Sequence, residues 1–81
     1  MLFAMSTLLE RFGKRVRMLR KARGWTQEKL ASRCGRHWTY VGGLERGQRN
    51  PTLEVMADLA RALGVDVWQL LKEDDVPRDR A

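Results

Sequence analysis

Apolar residues along this chain recur at spacings of three and four, and β-branched alternation is missing throughout. That period belongs to helices that bury one stripe and leave the rest to water. Leu9, Phe12, Val16 and Leu19 form the first stripe. Thr7 opens it with Glu10 three residues on, the spacing of a capping box, so a helix is predicted from about Thr7 to Arg23, ended by Gly24. Thr26 caps a second helix, with Glu28 near its positive end, Leu30, Ala31 and Cys34 turned inward, and Gly35 as its stop. A third helix begins near His37, turns Val41 and Leu44 inward, and closes at Gly47. After the loop GQRNP, Thr52 caps a fourth, in which Leu53, Met56, Leu59, Ala60 and Leu63 repeat at helical spacing up to Gly64. Asp66-Val67-Trp68-Gln69 is a further capping box, opening a short fifth helix with Leu70 and Leu71. The expected fold is all-α, a compact five-helix bundle over residues 7–72. A flexible N-terminus (1–6) and a flexible polar tail (73–81, EDDVPRDRA) are expected to flank it.

One segment resists this scheme. RHWTYVGGLERGQRNP, residues 36–51, has the apolar residues of a packed helix but carries Gly42 and Gly43 in its middle. Each glycine costs a helix interior about 1 kcal/mol relative to alanine. A centre without side chains lets the backbone come close to something: a neighbouring helix or a ligand.

Charge narrows the options. Residues 1–50 hold 12 basic and 3 acidic residues, a net +9, while residues 51–81 hold 4 basic and 7 acidic, a net −3. The basic half is suited to a polyanion or is a solvated surface. No apolar run reaches the roughly 20 residues of a membrane span, so no membrane association is expected. MLFAMSTLLE lacks the basic start of a signal peptide, and the one cysteine, Cys34, can form neither an internal disulfide nor a metal cluster. A cytoplasmic protein without metal or cofactor is expected. With one histidine, His37, no Ser/His/Asp or Cys/His set is available, and an enzyme is not expected.

The second and third helices are joined by Gly35 and one or two neighbours, the linkage of a helix-turn-helix. Gly35 supplies the positive φ of the turn, Ala31 the small residue at the crossing, and Val41 and Leu44 the plugs into the core. GKRVRMLRKARGWTQEKLA, LERGQRNPTLEVMADLARALGV and the following short helix resemble the Cro/repressor-type (XRE) helix-turn-helix family over roughly residues 10–72. Within it, YVGGLERGQRN is most similar to the controller proteins of restriction–modification systems. The resemblance implies a lambda-repressor-like domain, sequence-specific binding to double-stranded DNA, and a homodimer on a pseudo-palindromic operator. An activator would also contact RNA polymerase. Arg36 departs from the pattern, where the family has an apolar residue. Its stem is expected to pack while its charge reaches water or phosphate.

In such proteins the recognition helix enters the major groove N-terminal end first. By resemblance, Trp38 and Thr39 reach base edges. Arg49, beyond the helix, is either a bidentate guanine contact or a phosphate clamp. Backbone contacts are assigned to Gln27, Arg36, His37, Tyr40, Arg46 and Asn50, with the positive end of the second helix assisting Gln27. The family also implies a structural ion pair between Arg20 and Glu45. Val65, Val67, Trp68 and Leu71 are assigned to a dimer interface, because so small a domain leaves little interior for them. An alternative is an antitoxin that binds a toxin and represses its own promoter. RNA binding has only charge in its favour, without the exposed aromatic sheet of common RNA modules.

Overall fold

The computed structural model describes the backbone of residues 2–72 and the side chains of residues 8–72. Five helices follow in order: α1 (Leu2–Ala22), α2 (Gln27–Cys34), α3 (Trp38–Glu45), α4 (Leu53–Leu63) and α5 (Val67–Leu71). There is no strand among the described residues. The expected start of the first helix at Thr7 is corrected: α1 begins at Leu2, and Thr7 lies inside it. Nothing between Leu2 and Thr7 breaks a helix, so a threonine there does not have to be a cap. The tail 73–81 lies outside the described residues.

The other boundaries follow local chemistry. Thr26 accepts the Lys29 N–H at 3.0 Å and Thr52 accepts the Val55 N–H at 3.1 Å, each satisfying an orphan donor of a first turn. Gly35 and Gly64 end α2 and α4 in the left-handed region, both at φ 73°. The Asp66 N–H donates to Gln69 Oε1 at 2.8 Å, the backward arm of the expected box. Two arginines of the first segment also serve the last turns of later helices: Arg23, just past α1, donates its Nε to the Leu63 carbonyl of α4 at 3.0 Å, and Arg15 of α1 donates its Nε to the Gln69 carbonyl of α5 at 2.8 Å. Part of the basic surface of α1 is therefore scaffolding.

The core sits among all five elements. Phe12 and Val16 from α1, Leu30 and Ala31 from α2, Val41 and Leu44 from α3, Leu59 and Leu63 from α4 and Leu70 from α5 are buried. At about 1.5–3 kcal/mol for each fully buried aliphatic or aromatic side chain, this cluster is the main favourable term. One expected core position is wrong. Leu53 is 75% exposed, and Val55 takes its place in the interior. Val55, Leu59 and Leu63 follow one another at spacings of four on the buried face of α4, and Leu53 falls outside that face.

Gly13 sets how closely α1 crosses α3. A Cβ at this position would lie 2.5 Å from the Glu45 carbonyl oxygen and nearer still to that of Leu44. Only a residue without a side chain allows this approach. The N-terminal turn of α3 stays exposed at His37, Trp38 and Thr39.

Candidate nucleic-acid interface

The interface is built around α3 and its anchorage. Beneath it, Arg20 and Glu45 are both 93% removed from solvent, at 7% exposure each. Arg20 Nε lies 2.6 Å from Glu45 Oε2 and Arg20 Nη2 3.0 Å from Oε1. Arg20 Nη1 donates to the Trp25 carbonyl at 2.7 Å, and Gln27 Nε2 donates to Glu45 Oε1 at 3.0 Å. A buried charge pair is tolerable only when its remaining hydrogen-bonding capacity is also met, as here. The pair thus joins α1, the start of α2 and the end of α3 through one carboxylate.

The turn between α2 and α3 is tied down separately. Arg36 Nη2 meets Asp58 Oδ2 at 2.5 Å, and Asp58 Oδ1 meets Arg61 Nη2 at 2.6 Å. Arg36 thus sets its charge against a carboxylate of α4 while its side chain keeps 32% exposure, and its Nε is buried with no hydrogen-bond partner among the described residues. Asp58 is held below the usual carboxylate range, first by the hydrogen bond from Arg61 and then by that from Arg36. Burial pushes the neighbouring Cys34 thiol up, which keeps it protonated and inert.

At the start of α3, His37 is the N-cap, and its Nδ1 accepts the Thr39 N–H at 3.2 Å. A ring nitrogen that accepts from a backbone N–H carries no proton, so the tautomer has its hydrogen on Nε2. Thr39 Oγ1 lies 2.8 Å from the same Nδ1. The Thr39 side chain is exposed, with a hydroxyl and a methyl group. Trp38 is 48% exposed and stacks on His37 with ring centroids 6.1 Å apart. Packing does not hide this indole.

Beyond α3, Arg49 folds back along the helix. Its guanidinium stands 5.4 Å from the centre of the Tyr40 ring, a cation–π distance. Arg46 Nε donates to Gln48 Oε1 at 3.2 Å, and Arg46, Gln48, Lys14 and Arg17 line one shallow cleft with Glu10 and Glu45. His37, Trp38 and Thr39 are thus exposed at the first turn of α3, and Arg49 lies over Tyr40, which is half-buried and packs against the core. Gln27 is half-buried under it with one amide hydrogen engaged by Glu45. Asn50 instead borders an apolar groove with Leu8, Leu9, Phe12, Pro51, Met56 and Leu71.

The residues assigned to a dimer interface divide. Val65 and Val67 are half-buried and pack on the core of their own chain. Trp68 and Leu71 are exposed, at 59% and 40%. Sequence reasoning missed Gly13, Asp58 and Trp25. Gly13 was visible as a small residue within an apolar stripe. Trp25 lies between the guanidiniums of Arg23 and Arg33, at 5.1 and 5.2 Å, a contact that no sequence period announces. Among the described residues no three His, Cys, Asp or Glu side chains could hold a metal ion, and no helix is long and apolar enough to cross a membrane.

Comparison with known proteins places this geometry. The Helix-turn-helix domain family matches residues 11–71. The control protein C.BamHI of Bacillus amyloliquefaciens is 43% identical over 61 residues, covering 74% of this chain and 75% of that protein. The uncharacterized HTH-type transcriptional regulator y4dJ of Sinorhizobium fredii is 41% identical over 63 residues, 78% of this chain and 82% of that one. Among solved structures, the restriction-modification controller protein C.AhdI from Aeromonas hydrophila superposes with a TM-score of 0.75 at 48% identity, covering 76% of this chain and 94% of that chain.

Proposed function

The chain belongs to the Cro/repressor-type (XRE) helix-turn-helix family of DNA-binding regulators, and from that premise we propose a homodimer that reads a pseudo-palindromic operator through α3 and Arg49. The similarity to controller proteins supports regulation of a restriction–modification system as its biological setting. The observation that carries the reading is the exposed side of α3, where Trp38 and Thr39 stand at the free N-terminal turn and Arg49 lies back over Tyr40.

Each side chain has a chemical role. Thr39 presents a hydroxyl and a methyl. It suits an exocyclic amine of adenine or cytosine, or a thymine methyl in van der Waals contact. Trp38 offers a broad apolar face to a thymine methyl or a sugar. Arg49 offers the planar fork that matches guanine O6 and N7. Tyr40 and Arg46 hold phosphates, as do His37 through Nε2–H and the start of α2 at Gln27. Arg36 is left out of this set because Asp58 engages it.

Two-fold pairing through Trp68 and Leu71 sets two copies of α3 about 34 Å apart, one turn of DNA. RNA polymerase contact belongs to this proposal only where the outcome is activation. The test is binding to the DNA upstream of the protein's own gene over a series of salt concentrations. The logarithm of affinity should fall linearly with the logarithm of salt, by about 0.9 for each phosphate neutralised. A specific complex indifferent to salt would remove the phosphate contacts from the account.

A further inference from the structure

The two central glycines of α3 have no role in the contacts described so far. Both are buried, although neither has a side chain to bury. What covers them differs. A Cβ on Gly42 would meet Arg46 Nη1 at 3.2 Å and Gln27 Oε1 at 3.3 Å, the ends of flexible side chains that can give way. A Cβ on Gly43 would meet Arg49 Cγ at 2.9 Å, Nε at 3.4 Å and Cδ at 3.7 Å, so its three nearest neighbours all belong to one arginine stem. No backbone of another helix is among them. The close helix crossing of this fold lies at Gly13 instead.

We propose that Gly43 is a seat for Arg49 and a positioning residue for DNA specificity. Gly43 stands three residues after Tyr40, so the two share a face of α3. The Arg49 stem crosses the helix over Gly43, and its guanidinium comes to rest against the Tyr40 ring. The glycine makes the helix centre blank so that a side chain from the following loop can occupy it. An arginine held at both stem and head loses less freedom on binding than one free on a loop. Alanine at this position collides with the Cγ of the stem, which must lift off the helix and release the ring contact. The inference deepens the proposed reading of DNA by Arg49 and rests on it.

The test compares the whole protein with Gly43→Ala, Arg49→Ala, the double variant and Gly42→Ala as a control. Each is measured on the protein's own upstream operator and on operators substituted one base pair at a time. Gly43→Ala should raise the melting temperature or leave it unchanged, yet weaken operator binding about tenfold. It should lose discrimination at the same base pair as Arg49→Ala. In the Arg49→Ala background it should cost nothing further, and Gly42→Ala should keep that discrimination. Equal losses from Gly43→Ala in both backgrounds, or wild-type discrimination by Gly43→Ala, would overturn the proposal. A second readout needs no DNA. In the free protein the Arg49 side-chain protons should be shifted upfield in NMR spectra by the Tyr40 ring, and Gly43→Ala should abolish that shift. Its persistence would overturn the seat. If the wild-type protein discriminates no operator, the DNA reading itself has failed, and the NMR comparison alone decides the seat.

Discussion

Arg20 and Glu45 show how much of this domain depends on single atoms placed well. Each is buried, and each hydrogen-bonds a third group besides its partner. Removing one partner leaves an unpaired charge in the interior, so Glu45→Ala should destabilise the protein by about 3–5 kcal/mol in urea unfolding. Replacing both Arg20 and Glu45 by methionine should be milder than either single change, and a double variant much worse than both would contradict the pairing. Gly13→Ala should also destabilise, by roughly 1–3 kcal/mol, because the carbonyls it meets belong to backbone and cannot step aside. The ion pair was legible through family resemblance alone, since nothing in periodicity puts an arginine and a glutamate in a core. Gly35 was legible from the turn it makes. Arg36 was not, because its partner Asp58 stands in another helix, 22 positions away, and sequence spacing carries no information about that contact.

At the scale of elements, caps and stripes located four of the five helices closely, and the misses share a cause. The start of α1 was placed at Thr7 because a capping box can be written there, but local chemistry that permits a start does not require one. Leu53 is apolar and near the right spacing for the core, but the face that packs is the one carrying Val55, Leu59 and Leu63. The α2–turn–α3 unit is held to α4 by Arg36 and Asp58, and this linkage has a pH dependence. The Asp58 carboxyl is depressed by Arg61 and Arg36. Its contribution is therefore present above the unfolded aspartate pKa of about 3.9 and is lost as pH falls through the lower folded value. Asp58→Asn should lose stability at neutral pH and show a flatter profile than the wild type below about pH 4. Identical acid limbs for the two proteins would show that the linkage contributes nothing. Cys34, buried with its thiol pushed up, should react with thiol reagents only as fast as the domain opens.

The whole molecule presents two faces of different character. One carries α3 with Arg46 and Arg49. The other exposes Trp68 and Leu71, with Leu71 joining Leu8 in an apolar groove. The proposed pairing would give so small a domain stability as well as DNA affinity. Trp68→Glu should shift the protein toward monomer in sedimentation and weaken operator binding, with the fold intact by circular dichroism. A wild-type protein that stays monomeric at micromolar concentration would contradict that interface. The proposed dimer face was the least legible part of the sequence, because Val65 and Val67 look the same whether they pack inward or outward. Of the residues proposed to read DNA, Trp38 and Thr39 follow from their place at the helix start, whereas the pose of Arg49 depends on a glycine and a tyrosine of the preceding helix.

If α3 and Arg49 read base edges as proposed, the ratio of affinities for the protein's own upstream operator and a scrambled duplex of equal length reports it. Measured at one fixed salt concentration, the wild-type ratio should be about a thousandfold or more. Arg49→Ala should lower it mainly through one base pair of each half-site, with affinity for the scrambled duplex little changed. Equal wild-type affinity for both duplexes, or an Arg49→Ala loss spread evenly over every sequence, would contradict the account.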